Sequence, residues 1–246
     1  MKAIILAAGE GKRLRPLTYG IPKPLLPVGG RPVIDYVLDN IAKCREIDIV
    51  YVAVSHMRSA LEAYLAHSNF NNFKIETVTT MGWETGGDLK TVLVQKEIRN
   101  EPILVCYGDN VTMIDTQKLV DAHRKQKNAN ATVALFEVSK RDASRFGIAD
   151  LKGDRIEKFV EKPTNESSRS CLANAGYFML ESPTIERIPM GRFKLESEYF
   201  PAWAAAGVLF GQIQKVKLWI DIGTIESYRE ANRLVETILP PPEVRK

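Results

Sequence analysis

The sequence has little cysteine, and its cysteines are poorly placed for disulfides or metal binding. Cys44, Cys106 and Cys171 are odd in number and far apart, and the sequence contains no Cys-x-x-Cys pair. We therefore expect neither a disulfide framework nor a thiolate zinc site. This usage predicts a reduced, cytoplasmic protein in which Cys106 and Cys171 are ordinary core residues.

Long apolar runs, linkers and internal repeats are also missing. No stretch of 18 or more apolar residues occurs, so the sequence predicts no membrane-spanning helix. The 34 Lys and Arg residues barely exceed the 30 Asp and Glu residues, and a net charge of +4 does not favour nucleic-acid binding. The chain of 246 residues is 45% hydrophobic, which is typical of a globular protein. We expect no membrane partner and no nucleic-acid partner.

Apolar runs alternate with helical patterns along most of the chain. Strands are predicted at Ile4–Ala8, Ile47–Val54, Ile75–Val78, Ile103–Tyr107, Ala131–Val138 and Ala175–Leu180. Helices are predicted at Val33–Ala42, Arg58–Leu65, Leu89–Glu97, Gln117–Lys125 and Thr224–Ile238. This alternation predicts a three-layer α/β fold with a mainly parallel, mixed sheet. A hairpin at Phe146–Leu151 and Ile156–Val160 is predicted to decorate the sheet, giving one catalytic domain over residues 1–238 and a C-terminal tail at 239–246.

A glycine-rich, basic loop follows the first predicted strand directly. Its sequence over residues 6–13 is LAAGEGKR, and such a loop lies where α/β sheets collect ligands. Glycine lets backbone N–H groups approach a phosphate, and Arg13 adds positive charge. A P-loop is excluded because Lys12 is followed by Arg13 rather than by Ser or Thr. A dinucleotide fingerprint is excluded because position 14, which should be the third glycine, is leucine.

A second candidate phosphate contact is Lys23, which stands between two prolines. Pro22 and Pro24 restrict the backbone, and this suits a cation aimed at a ligand. From these residues alone, a solvated loop with an incidental lysine remains an equal alternative.

Together these two segments carry a family resemblance. LAAGEGKRLRPLT at 6–18 and PKPLLPVGGRP at 22–32 resemble the N-terminal signature of sugar-1-phosphate nucleotidyltransferases. That family joins a nucleoside triphosphate (NTP) to a sugar 1-phosphate and releases pyrophosphate. The resemblance implies a Rossmann-like nucleotidyltransferase fold with a sugar-binding β insertion, with Mg²⁺ as cofactor. It further implies that nucleotide is bound by Ala7, Ala8, Gly9, Gly11, Arg13 and Lys23, with Arg13 and Lys23 catalytic.

The segment TGGDLK at 85–90 resembles the part of the family that contacts the base and ribose. The resemblance implies nucleotide contacts from Thr85 and Gly86, while Thr85 as a simple helix cap is the local alternative. The preceding residues lack the glutamine common in thymidylyl-transferring members, and this segment is closer to cytidylyl- or guanylyl-transferring relatives. Trp83 either borders the base or packs in the interior.

Two acidic residues resemble the metal ligands of the family. Asp109 ends the strand segment ILVCYGDN at 103–110, and Asp221 lies in LWIDIGT at 218–224. The resemblance implies that both carboxylates hold Mg²⁺, and Asp109 also contacts nucleotide. Carboxylate oxygen is the type of ligand that Mg²⁺ prefers. The alternative for either residue is a helix cap, and Thr224 is also well placed to cap the last helix.

The segments RFGI at 145–148, FVEKP at 159–163 and NAGY at 174–177 resemble the sugar-phosphate site of the family. The residues implied in binding are Gly147, Glu161, Lys162 and Asn174, with Lys162 also catalytic. Carboxylates suit hydroxyl donors, and lysine suits a phosphate. A salt bridge between Glu161 and Lys162 and a turn role for Asn174 are the alternatives.

The resemblance implies one in-line displacement, in which the sugar phosphate attacks the α-phosphorus of the NTP. Positioning and preorganised charge would carry the catalysis. An inactive regulatory subunit of a nucleotidyltransferase complex is the alternative, and a homo-oligomer is possible.

Overall fold

The computed structural model describes residues 1–68, 70, 72–164 and 170–238. The predicted tail at 239–246 lies outside the described residues. Within them the strands are β1 (Lys2–Leu6), β2 (Pro27–Val28), β3 (Arg31–Pro32), β4 (Ile49–Val54), β5 (Lys74–Thr79), β6 (Pro102–Tyr107), β7 (Asn110–Thr112), β8 (Ala131–Glu137), β9 (Gly147–Lys152), β10 (Arg155–Glu161), β11 (Leu172–Glu181), β12 (Leu209–Ile213) and β13 (Trp219–Asp221).

The helices of the same residues are α1 (Val33–Ala42), α2 (Arg58–Ala66), α3 (Glu84–Gln95), α4 (Thr116–Arg124), α5 (Ser182–Glu186), α6 (Leu195–Glu198), α7 (Phe200–Ala205) and α8 (Ile225–Ile238). Single 3₁₀ turns lie at Lys12–Leu14, Leu17–Tyr19, Lys23–Leu25 and Ala143–Arg145. Among the described helices, none combines the length and apolar character that crossing a membrane requires.

Nine strands form one sheet in the order β5-β4-β1-β6-β11-β8-β12-β10-β9. The four strands from β5 to β6 are parallel, whereas β11 runs antiparallel to both β6 and β8. The predicted hairpin is present as β9 and β10, and it extends the same sheet. The predicted mixed α/β sheet is thus confirmed, with three parallel pairings on one side of β11 and a further parallel pair, β8 and β12, on the other.

Two apolar layers lie on opposite faces of this sheet. Along β1, Ala3 and Ile5 belong to one cluster, whereas Ile4 belongs to the other, as the alternation of a strand requires. The first cluster contains residues of α1, α2 and α4, and the second contains residues of α3, α5 and α7. The sheet is therefore covered by helices on both faces, which confirms the three-layer prediction.

A third, smaller apolar cluster ties the loop after β1 to the last helix. Leu14, Val28 and Ile220 are buried in it together with Ala231 and Val235 of α8. Burial of apolar side chains of this size stabilises by about 1.5–3 kcal/mol each. This packing anchors the segments that carry Arg13 and Lys23.

Helix α3 begins five residues before the predicted boundary of Leu89. The segment TGGDLK therefore lies inside the helix and not ahead of it. The backbone N–H of Gly86 donates to the carbonyl of Phe193 at 3.0 Å, so a distant segment satisfies this early helical donor. The prediction of a later start was wrong because this partner is 107 positions away along the chain.

The cysteines are free, and Cys44 and Cys106 are buried. The prediction for Cys106 is confirmed. Cys171 is only half-buried, so its prediction as a core residue was wrong. It directly precedes β11, and its carbonyl accepts from the N–H of Val138 at the end of the neighbouring strand.

Candidate active site

A cleft of about 1070 Å³ opens where β1, β4 and β6 reach their carboxyl ends. The cleft is lined by Leu6, the last residue of β1, and by Ser55 and Gly108, which immediately follow β4 and β6. All but one of the residues predicted to form the site also line it, namely Ala7, Ala8, Gly9, Gly11, Arg13, Lys23, Thr85, Asp109, Gly147, Glu161, Lys162, Asn174 and Asp221. The structure thus brings together residues from eight separate segments of the sequence.

The loop after β1 is held in shape by Gly11. This residue has φ +63°, and a Cβ there would lie 2.9 Å from Cγ2 of Thr18. The Thr18 hydroxyl donates to the carbonyl of Gly11 at 3.0 Å. Arg13 follows in the 3₁₀ turn and, within the described residues, makes no ion pair or side-chain hydrogen bond. Its guanidinium therefore keeps its donors for a ligand.

Lys23 and Asp109 form an ion pair across the cleft. Lys23 Nζ lies 2.5 Å from Oδ2 of Asp109, and the two side chains are 13% and 33% exposed. The backbone of Lys23 is fixed in a 3₁₀ turn that begins after Pro22. The solvated-loop alternative for Lys23 does not fit a lysine that is largely buried and paired.

Asp109 and Asp221 are neighbours because β7 and β13 pair in antiparallel fashion. Asp221 is in register with Asn110, and the N–H of Ile222 donates to the carbonyl of Asp109 at 3.2 Å. Burial and the negative charge of Asp109 raise the pKa of the Asp221 carboxyl, which Lys23 and nearby arginines oppose. Two adjacent, incompletely neutralised carboxylates are chemically suited to one divalent cation.

No group of three or more potential metal ligands occurs among the described residues. Mg²⁺, however, is commonly held by one or two carboxylates together with substrate phosphates and waters. The donor set at Asp109 and Asp221 therefore fits this metal when a phosphate ligand completes its shell.

Helices α4 and α8 are capped by residues other than Asp109 and Asp221. Asp115 caps α4, since its Oδ1 accepts from the N–H of Lys118 at 3.1 Å. Thr224 caps α8, since its Oγ1 accepts from the N–H of Ser227 at 3.2 Å. Within the part of the chain that the structure describes, neither Asp109 nor Asp221 caps a helix, and the predicted role of Thr224 as a cap is confirmed.

The end of the β9–β10 hairpin presents Glu161 and Lys162 to the cleft. Lys162 has φ +49°, a conformation that costs non-glycine residues energy and is typical of functional positions. Its N–H donates to the carbonyl of Phe146 at 2.9 Å, which holds the backbone there. In the described part of the chain, Glu161 and Lys162 form no salt bridge with each other. Burial raises the pKa of Glu161, and the positive charges of Lys162 and Lys194 oppose this.

Gly147 stands beside this carboxylate. A Cβ at Gly147 would lie 2.5 Å from Cζ of Phe159 and 2.7 Å from Oε2 of Glu161. The absence of a side chain therefore makes room for the protein's own glutamate at the cleft wall.

Asn174 lies on β11 where the strand is irregular. Its Oδ1 accepts from the N–H of Gly176 at 2.9 Å, and Gly176 has φ +78°. The register to β8 shifts between Asn174 and Phe178. Asn174 thus shapes a bulge, as the turn alternative suggests, and it also lines the cleft.

The first turn of α3 lines the cleft through Thr85 but not through Gly86. Thr85 Oγ1 donates to Oε2 of Glu196 at 2.7 Å, so it does not act as a helix cap. A Cβ on Gly86 would lie 2.1 Å from the ring of Phe193, which places this glycine under the ring and away from the cleft lining. Trp83 is likewise absent from the lining.

Several cleft residues were missed by the sequence reasoning. Arg145 lies 3.7 Å from Asp221, and Glu84 has φ +62° and pairs with Arg192 at 2.8 Å and Lys194 at 3.6 Å. The signal for Arg145 was its place two residues before Gly147. No local pattern marks the segment that contains Arg192 and Lys194.

Known proteins share this organisation. The family model described as nucleotidyl transferase matches residues 2–238. A mannose-1-phosphate guanylyltransferase of Mycobacterium tuberculosis is 35% identical over 99% of the chain. A UTP–glucose-1-phosphate uridylyltransferase of Synechocystis is 31% identical over 95% of the chain. The chain spans 67% and 63% of the lengths of these two relatives.

A solved structure shares the fold over nearly the whole chain. It is a Bacillus anthracis protein assigned as a glucose-1-phosphate thymidylyltransferase, in complex with sucrose. Its TM-score is 0.83 at 26% identity, covering 98% of both chains. The family model, the relatives and the fold agree with the motifs: the chain belongs to the nucleotidyl transferase family, among the sugar-1-phosphate nucleotidyltransferases.

Proposed function

We propose that this chain transfers a nucleotidyl group from an NTP to a sugar 1-phosphate, releasing pyrophosphate. The observation that carries the proposal is the cleft, in which unpaired cations from distant segments face two adjacent carboxylates. Arg13 and Lys162 lack ion-pair partners in the described chain and are suited to phosphate ligands. The named activities of the relatives are of this reaction class.

In the proposed reaction a sugar phosphate oxygen attacks the α-phosphorus, and the bond to the pyrophosphate oxygen breaks. The attacking oxygen is already anionic at neutral pH, so no general base is needed. Arg13 and the N–H groups of the Gly9–Gly11 loop bind the triphosphate, and Lys162 binds the sugar phosphate. Lys23 neutralises charge that develops at the α-phosphate. Positioning and preorganised charge therefore supply the rate enhancement.

We further propose that Asp109 and Asp221 hold Mg²⁺. When bound, this ion would act as a Lewis acid on phosphate oxygens. The protein's part is to keep the two carboxylates adjacent through the β7–β13 pairing. Glu161 and Asn174 belong to the proposed sugar site, and Thr85 to the proposed nucleotide site. The proposal also includes a single catalytic domain at residues 1–238, followed by a tail. It further includes a cytoplasmic location, which is consistent with the free cysteines, and assembly as a homo-oligomer.

The deciding experiment screens CTP, GTP, dTTP, UTP and ATP against a panel of sugar 1-phosphates, with detection of pyrophosphate and added Mg²⁺. At least one pair of NTP and sugar 1-phosphate should give turnover. Asp221→Ala should lower that turnover by about 10²–10³-fold. No pyrophosphate from any pair would contradict the proposal and favour an inactive regulatory subunit. Wild-type turnover in Asp221→Ala would contradict the metal assignment alone.

A further inference from the structure

Glu196 is a buried acid of the cleft wall that none of the family motifs quoted above includes. It lies on α6 and is 6% exposed, yet it lines the cleft. Its Oε2 accepts from the hydroxyl of Thr85 at 2.7 Å, across 111 positions of sequence. This bond fixes the orientation of the carboxyl group.

The second carboxylate oxygen of Glu196 has no partner. Within the described residues, Oε1 is fully buried and receives no hydrogen bond. Burial also raises the pKa of this carboxyl. Buried polar atoms are nearly always paired, and an unpaired acceptor is costly enough to call for an explanation. Since Oε1 itself has no accessible surface, a ligand donor in the cleft reaches it only when the carboxyl group turns this oxygen toward the cleft, where 6% of the residue is exposed.

The chemistry of the proposed substrates limits which of their groups can donate a hydrogen bond to Oε1 of Glu196. A carboxylate accepts hydrogen bonds, and ionised phosphate oxygens have none to donate. Only sugar hydroxyls, ribose hydroxyls and base N–H groups can therefore pair with Oε1 of Glu196.

Glu196 lies between the proposed nucleotide site and the proposed sugar site. Its partner Thr85, and Glu84, which pairs with Lys194 at 3.6 Å, lie at the nucleotide end, while the charge of Lys194 also acts on Glu161 of the proposed sugar site. Lys194 and Glu161 both line the cleft with Glu196. A second acceptor near Glu161 is what a hydroxyl-rich ring needs for discrimination.

We infer that Glu196 is a specificity-determining residue that accepts a hydrogen bond from one ring hydroxyl of the sugar 1-phosphate, with Thr85 as its positioning residue. The inference rests on the proposed function. It adds a hydroxyl contact from α6 to those of the β9–β10 hairpin. It also assigns Thr85 a role in sugar selection through Glu196.

The test compares wild type with Glu196→Gln, Thr85→Val and the control Glu198→Gln. Glu198 is an exposed glutamate of the same helix that does not line the cleft. Glu196→Gln should raise KM for the sugar 1-phosphate by about 5–10-fold, as expected when a hydrogen bond to a charged carboxylate becomes one to a neutral amide oxygen, with KM for NTP unchanged. Thr85→Val should give a smaller change in the same direction, and Glu198→Gln should change neither constant.

A series of monodeoxy sugar 1-phosphates identifies the contact. For the analogue that lacks the bonded hydroxyl, wild type and Glu196→Gln should have equal KM, because neither can form the bond. An effect of Glu196→Gln on KM for NTP or on base preference would overturn the inference. So would a drop in melting temperature with both KM values unchanged, since that marks a purely structural role.

Binding measurements separate this inference from the proposed function. Calorimetry with the sugar 1-phosphate panel, in the absence of NTP, reports the sugar site even if no pyrophosphate is formed. Weaker binding by Glu196→Gln than by wild type supports the inference in that case. Equal binding, or no binding by either protein, overturns it. Absence of turnover in wild type contradicts only the proposed reaction.

Discussion

Replacing Lys23 by alanine separates a catalytic role from a structural one. Its amino group lies 2.5 Å from Asp109, and the side chain is only 13% exposed. Loss of one donor that stabilises charge in a transition state costs about 10²–10³ in turnover, or roughly 2.7–4 kcal/mol of barrier. The stability cost should be smaller, about 1 kcal/mol, because Asp109 is 33% exposed and water can replace the lysine.

The assay measures kcat at saturating NTP, sugar 1-phosphate and Mg²⁺, with thermal unfolding followed in parallel. We expect turnover to fall at least a hundredfold, roughly, while the melting temperature falls by about 2–4 °C. Lys96→Ala is the matched control, since Lys96 pairs with Glu76 at 2.8 Å outside the cleft. Turnover of Lys23→Ala within about threefold of wild type would refute the reasoning.

Three further predictions concern shape, capping and pH. Gly11→Ala should lower stability by about 1–2 kcal/mol, because φ is +63° and Thr18 stands 2.9 Å from the new Cβ; denaturant unfolding measures this. Thr224→Ala removes the acceptor for the N–H of Ser227 and should cost about 1 kcal/mol in the same assay. Burial raises the pKa of Glu161, so its carboxylate is lost at a higher pH than that of an ordinary glutamate. KM for the sugar 1-phosphate should therefore rise as pH falls, and Glu161→Gln should flatten this profile.

Each of these has a result that would count against it. An unchanged unfolding midpoint for Gly11→Ala would show that neither the positive φ nor the contact with Thr18 costs stability. No loss of stability in Thr224→Ala would mean that water replaces the cap without cost. A pH profile that survives Glu161→Gln would assign the titration to another group.

The parallel half of the sheet and the loop after β1 could be predicted because their signals are local. Continuous apolar runs mark buried strands, and Gly11 followed by Arg13 stands directly after one of them. The strand β13 was not predicted, since Trp219–Asp221 is only three residues long and exists through pairing with β7. Its motif still pointed to Asp221, so the residue was identified before its strand.

Glu196 could not be predicted because its role arises only in the folded chain. Its hydroxyl partner, Thr85, lies 111 positions away. The early start of α3 has the same origin, since Phe193 supplies the carbonyl that receives the N–H of Gly86. Hydrophobic periodicity in a sequence indicates which face of a helix or strand is buried. Contacts between residues this far apart in the sequence depend on the topology of the fold.

Strand β11 links the two proposed substrate sites through one continuous backbone. Tyr177 pairs with Cys106 of β6, which leads to Asp109, while Ala173 pairs with Ile148 beside Gly147. The spacing between the two sites is thus set by the backbone of β11, including its bulge between Asn174 and Phe178, and not by the loops that contact the ligands. Substitutions in those loops can therefore alter the choice of base or sugar while the distance over which the nucleotidyl group is transferred stays constant.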